Sequence, residues 1–211
     1  MNSKKINMKF FKISICVIAV FFSSAIFAGN EDRAGSAGAT DLLVNPWARS
    51  SAWGSAGISS VNGLEGIFLN VAGLAYAEQT EIQFARTNWM GNISGIGLNA
   101  AGFAQRVGEA GVLGVSFVSM NYGDIEITTT ELPEGGIGYF NPSSINLTLS
   151  YAKKFSSSIS GGMNLKIVSQ SISNVGAQGV AIDAGIRYVT GEQDNIKSVS
   201  YTHLTLPTMM S

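Results

Sequence analysis

The chain has 211 residues, 13 of them basic and 14 acidic, for a net charge of −1. Only 13% of residues are charged, against roughly 25% in a typical soluble domain, and the mean hydropathy is +0.23. Near-neutral charge with no basic patch interleaved with aromatics argues against a nucleic-acid partner, and low charge without a long apolar helix in the mature part suggests a β protein whose exterior does not everywhere face water.

Residues 1–12 carry Lys4, Lys5, Lys9 and Lys12 and no acid, and the apolar run "ISICVIAVFFSSAIFA" follows. This is the layout of a secretory signal peptide over 1–28, with cleavage near Ala25 or Ala28. The alternative is a membrane anchor, but the run is shorter than the roughly 20 residues a spanning helix needs. The single cysteine, Cys16, lies inside the run and would leave with it. The mature chain is therefore expected to hold no disulfide and no cysteine-based metal site.

Residues 29–79 form a Gly-, Ala- and Ser-rich lead-in without sustained alternation. A short helix fits 63–68, and Gly66 argues against a long one. Strands then come regularly. Thr80–Asn88 is the first. Ile96, Leu98, Ala100, Gly102 and Ala104 mark the oily face of a second, and Leu113, Val115 and Phe117 that of a third. "SINLTLSYAKKF", residues 144–155, is the fourth and alternates almost without fault. Met163, Leu165 and Ile167 define a fifth; Val180, Ile182, Ala184, Ile186 and Tyr188 define a sixth. Such period-two patterns give one apolar and one polar face. "RVGEAG", "KKFSSS" and "VTGEQDN" read as short turns on one side. On the other side, 123–143 and 171–179 read as longer loops, while "WMGN" is a short exception.

A soluble sandwich also alternates, so the polar parity has to decide what the oily face touches. It reads Asn146, Thr148, Ser150; then Gly162, Asn164, Lys166; then Ala181, Asp183, Gly185, Arg187. These small or neutral groups suit a confined lumen better than a water-facing sheet. Strands of about nine to eleven residues suit a tilted bilayer crossing. Tyr151 and Tyr188 fall on the oily parity at strand ends, where an interfacial aromatic girdle belongs. The expected class is all-β, an antiparallel transmembrane β-barrel over 80–197. A barrel closes with at least about eight strands; six and the start of a seventh are visible, so the sequence reads as an N-terminal fragment.

The stretches "AGSAGATDLL" and "LNVAGLA", together with "GEAGVLGVSFVSMNYGDIEITT" and "AQGVAIDAGIRYVTGEQDNIK", carry a resemblance. Residues 32–197 resemble the PorV/PorQ family of Bacteroidota outer-membrane proteins, which are similar in turn to FadL-type channels. The wider group commonly has Asn-Pro-Ala-Gly-Leu-Ala where Val71 here follows Asn70, with Ala72, Gly73 and Leu74 retained. The resemblance implies a barrel of about fourteen strands and a lead-in, including Asn70, Ala72, Gly73 and Leu74, tucked inside or under it as a plug. It also implies outer-membrane lipid as surroundings, and for some members a partnership with the type IX translocon and the C-terminal signal domains of its cargo. Residues 198–211, "SVSYTHLTLPTMMS", resemble the translation of a sequencing adapter; the alternative is a native terminal strand.

No catalytic constellation stands out. The only histidine, His203, lies in that tail, so no His-based triad or His metal site is expected. Glu126, Glu131 and Glu134 share the long loop without EF-hand spacing and read as a solvated loop. The expectation is a non-enzymatic protein without metal or cofactor. Lys166, Asp183 and Arg187 share the polar parity, and a hairpin turning near Asn174 and Val175 would set Lys166 nearly opposite Asp183 as an ion pair. Three roles follow: a type IX secretion accessory, a FadL-like channel for hydrophobic small molecules, or an outer-membrane barrel without a secretion role. A soluble periplasmic β-sandwich or binding module is a further alternative.

Overall fold

Alternating β-branched, aromatic and small polar residues favour pleated strands, and the computed structural model is mainly antiparallel β-sheet. It describes residues 39–88, 95–205 and 209–210. The signal-peptide reading and "WMGN" fall on residues outside these.

The main strands are β1 (Thr80–Asn88), β2 (Gly97–Val107), β3 (Gly111–Asn121), β6 (Ser143–Lys154), β7 (Ile159–Ile172), β8 (Val175–Thr190) and β9 (Ile196–Thr205). Neighbours pair antiparallel in chain order from β1 to β9, with β4 (Ile125–Glu126) and β5 (Tyr139–Phe140) forming a separate small hairpin between β3 and β6. The two-residue strand β10 (Met209–Met210) also pairs with β8, beyond β9. The sheet is open: β1 lies at one edge, β9 and β10 at the other, and no ladder joins them among the described residues.

The turns between β2 and β3, β6 and β7, and β8 and β9 all lie at one end of the sheet, as the short-turn pattern predicts. The other end differs from expectation in one place. Residues 171–179 are not a long loop. Ile172 pairs with Val175 across a two-residue turn, with Ser173 at φ 55°. Left-handed turn residues match the twist of the flanking strands, so the ladder continues through this Ser-, Gly- and Gln-rich stretch. β7 has 14 residues and β8 has 16, and at about 3.3 Å per residue they span on the order of 45–55 Å.

Ahead of the sheet lie short helical pieces: Thr40–Leu43, Ala48–Ala52, Ala56–Ser59, Gly63–Glu65, Gly66–Leu69 and Val71–Tyr76. They cover one face of the sheet, and residues 61–77 are its most deeply buried part. The short helix expected over 63–68 is two short pieces that meet at Gly66, where a Cβ would sit 2.8 Å from the Leu74 nitrogen, so the packing of two turns requires glycine. The hydrophobic core lies between this segment and β2, β3 and β6, built from Trp47, Leu64, Ile67, Leu74, Leu98 and Val112.

The two faces of the sheet are sorted by parity. In β6, Ile145, Leu147, Leu149 and Tyr151 are exposed while Ser144, Asn146, Thr148 and Ser150 are buried. The same holds for Met163, Leu165 and Ile167 against Asn164 and Lys166, and for Ile186 and Tyr188 against Asp183 and Arg187. The second strand corrects the expectation. Leu98, Ala100, Gly102 and Ala104 are its buried, inner face, and Phe103 points outward. The oily parity there packs on the helical segment, which the alternation could not reveal.

Candidate functional site

The inner face and the helical segment meet as a seat and a plug. Four inward glycines make room for plug side chains: Gly102 on β2 faces Leu64, Gly114 on β3 faces Ile67 and Leu74, Gly162 on β7 faces Val71, and Gly185 on β8 faces Asn70 and Val71. A Cβ on Gly114 would lie 3.0 Å from Ile67 Cδ1, and one on Gly162 3.0 Å from Val71 Cγ2. These distances are below normal carbon contact of about 3.5–4.0 Å, so the facing plug side chains would have to shift to admit a Cβ.

The plug motif sits at the middle of this seat. Asn70, Ala72, Gly73 and Leu74 are all buried. Asn70 caps the Val71–Tyr76 turn, its Oδ1 accepting from the Ala72 amide at 3.0 Å. Val71 follows the cap at the first helical position, where proline is also well tolerated. Here its methyl groups fill the space left by Gly162 and Gly185. Gly73 is required because a Cβ would collide with the Val61 carbonyl.

Polar wall residues satisfy the plug backbone, which its short helical turns leave partly unpaired. Asn164 Nδ2 donates to the Ile67 carbonyl at 2.8 Å and to Asp183 Oδ2 at 3.1 Å. Lys166 Nζ lies 2.6 Å from Asp183 Oδ2, with both side chains almost wholly buried. The expected ion pair is present, but its register differs: Asn164 is directly opposite Asp183, and Lys166 is opposite Ala181. The pair is therefore diagonal, a spacing that a long lysine bridges. His203 Nδ1 lies 2.9 Å from Asp183 Oδ1.

At the short-turn end, Arg187 Nη1 donates to the Val61 carbonyl at 2.8 Å and Nη2 to Asn62 Oδ1 at 2.8 Å. Its guanidinium lies 3.8 Å from the Tyr76 ring centroid, and Lys154 Nζ lies 4.0 Å from the same ring. Burial opposes ionisation of the Tyr76 phenol, but Ser160 and the Arg187 and Lys154 charges outweigh it and hold its pKa below the usual value. Asn146 and Thr148 line the inner face of β6, with Thr148 Oγ1 donating to Asn146 Oδ1 at 3.4 Å.

Several anchors escaped the sequence reading. Arg106 donates from Nε to the Ala77 and Glu78 carbonyls at 3.0 and 2.9 Å, and from Nη2 to Ala75 at 3.0 Å and to Ala77. Glu81 Oε2 accepts from the Leu64 amide at 2.7 Å. The close approach is possible because Gly63, at φ 73°, has no Cβ to meet that carboxylate. Asp41 accepts from Gln170 at 2.7 Å and from Ser144, tying the start of the segment to the opposite end of the sheet. Burial and the Asp41 charge together raise the pKa of Tyr122 nearby. Strand parity was the available signal: Arg106 shares the parity of Leu98 and Ala104.

The far side of the segment carries an open recess of about 450 Å³ lined by Arg49, Trp53, Asn62, Glu65 and Leu69. Buried Glu65 is paired there with exposed Arg49 at 3.1 Å. Among the described residues no group of three or more His, Cys, Asp or Glu side chains is placed to hold a metal. Glu126 is instead used within its loop, accepting from the Gly136 amide at 2.9 Å. No family model, curated protein or solved structure matches the chain.

Proposed function

We propose that the protein is a non-enzymatic outer-membrane β-barrel whose interior is occupied by its own N-terminal segment, and that it serves as an accessory of type IX protein secretion. The observation that supports the membrane reading is the inverted distribution of polarity across the sheet. Leu113, Phe117, Ile145, Leu147, Leu165 and Ile186 are exposed, while Lys166, Asp183 and Arg187 are buried beneath them. Covering one large apolar side chain is worth about 1.5–3 kcal/mol, and this face repeats the feature over β3, β6, β7 and β8. A soluble sandwich would need a second layer on that face, but the covering layer lies on the other one. Hydrocarbon is the surrounding that fits, with Tyr151 and Tyr188, both half-exposed at the short-turn end, as the girdle.

An open sheet cannot stand in lipid, because each unpaired backbone group there costs several kcal/mol. The reading therefore requires further strands between the β1 and β9 edges, consistent with the family resemblance of residues 32–197. The secretion role rests on that resemblance. Deletion of the gene is expected to leave cargo signal domains uncleaved in the periplasm; normal cargo release in the deletion strain overturns the role. Fractionation tests the membrane reading separately, since recovery in the soluble fraction without detergent overturns it.

The FadL-like channel is the second reading. It has to contend with a plug that fills the inner face from β2 to β8, so passage would run through the recess beside Trp53 or need the plug to move. Equal uptake of labelled fatty acids by wild type and deletion strain counts against it.

A further inference from the structure

We infer that two wall arginines, Arg187 and Arg106, form a clamp that keeps the plug seated. In this arrangement the plug is a fixed seal rather than a loosely held lid. Both arginines lie at the short-turn end, on strands separated by β3, β6 and β7. Each grips a different end of the same segment. Arg187 holds the Val61 carbonyl and Asn62, where the segment enters its most buried stretch. Arg106 holds the carbonyls of Ala75, Ala77 and Glu78, where the segment leaves it and turns into β1. Tyr76 joins the two grips, lying one residue from the Arg106 partners and beneath the Arg187 guanidinium.

The plug cannot hold itself. Between residues 61 and 77 it consists of turns of three to six residues, and isolated helices so short are unstable in water. Its unpaired carbonyls are met by charged donors, which bond more strongly than neutral ones. Arginine suits this because its planar fork reaches two acceptors at once, which a lysine does not reproduce. Glu81 adds the complementary contact on an amide, at 2.7 Å from Leu64. The Lys166–Asp183 pair acts differently: it fixes Asn164, which makes one bond to the plug at Ile67. Arg187 and Arg106 are positioning residues, and their loss releases the segment while the ladders of the sheet remain.

Thiol labelling of the full chain tests the clamp. Val71, 3% exposed, is replaced by cysteine in a Cys16→Ser background, and the rate of modification by a maleimide is measured in detergent. Leu147→Cys on the outer face, 38% exposed and not covered by the plug, serves as the reference. With both arginines present, the plug site is expected to label slowly. In Arg187→Ala/Arg106→Ala the plug site is expected to label at least ten-fold faster with the outer-face site unchanged, and Arg187→Lys to fall between. If the double variant does not assemble, Arg187→Gln alone carries the same expectation at reduced size. Equal acceleration at both sites, or none at either, overturns the clamp. The inference rests on the barrel reading only in calling the seat a lumen; loss of membrane fractionation sinks that reading and leaves the labelling result standing.

Discussion

The two halves of the inner face hold the same plug by different physics. On β2 and β3 the inward residues are Leu98, Ala100, Gly102, Ala104, Val112 and Gly114, and they meet Leu64, Ile67 and Leu74 as apolar packing. On β6 to β8 they include Asn146, Thr148, Asn164, Lys166, Asp183 and Arg187, of which Asn164 and Arg187 bond backbone carbonyls of the plug. The apolar half gives contact area without direction; the polar half gives direction and register. A segment with little regular structure of its own needs both: area to offset its ordering entropy, and directed bonds so that its buried carbonyls are not left unpaired.

The largest expected effect comes from breaking the polar half. Asp183→Ala leaves Lys166 buried without its counter-charge and should cost about 3–5 kcal/mol in denaturant unfolding of the full chain. Replacing both partners, Lys166→Leu with Asp183→Leu, should recover most of that loss, since apolar groups of similar volume often replace a buried pair at little cost. A double variant as unstable as the single one would show that the charges matter for more than each other. Breaking the apolar half is next. Leu64→Ala removes a fully buried side chain and should cost about 2–5 kcal/mol, read by the same unfolding curve. A loss below about 1 kcal/mol would mean that the plug contributes little to the sheet.

The smallest effect sharpens the contrast between inside and outside. Leu147 is 38% exposed on the outer face. Leu147→Arg should cost about 2–4 kcal/mol in a bilayer and stay within about 0.5 kcal/mol if that face meets water. Refolding into vesicles, followed by urea titration, distinguishes the two.

How much of this could be read from the sequence follows the same division. Strands β6 to β8 were legible because their two parities differ in polarity, so Lys166, Asp183 and Arg187 could be placed together on one face before their contacts were known. In β2 both parities carry small or apolar groups, and the oily one belongs to the plug seat; alternation reports a difference between faces, not which face is inside. The hairpin expected near Asn174 and Val175 turns one residue earlier, at Ser173 and Asn174, and the length of its arms is hidden because Ser, Gly and Gln in 171–179 resemble loop composition, although their ladder is complete. Asn70, Ala72, Gly73 and Leu74 stand out in the sequence as a motif, but the sequence does not show their seat. It depends on Gly102, Gly114, Gly162 and Gly185, which lie far away in the chain and look like ordinary strand interruptions.

Those four glycines bear on how the sequence can vary. Each is a hydrogen-sized socket opposite one or two side chains of the plug, so neither partner can change size alone. Among relatives of this chain, a methyl group gained at the position of Gly162 or Gly185 should travel with a smaller residue at the position of Val71 or Asn70. The wall and its stopper would then drift as a matched set, recorded in paired substitutions across nearly a hundred intervening positions or more.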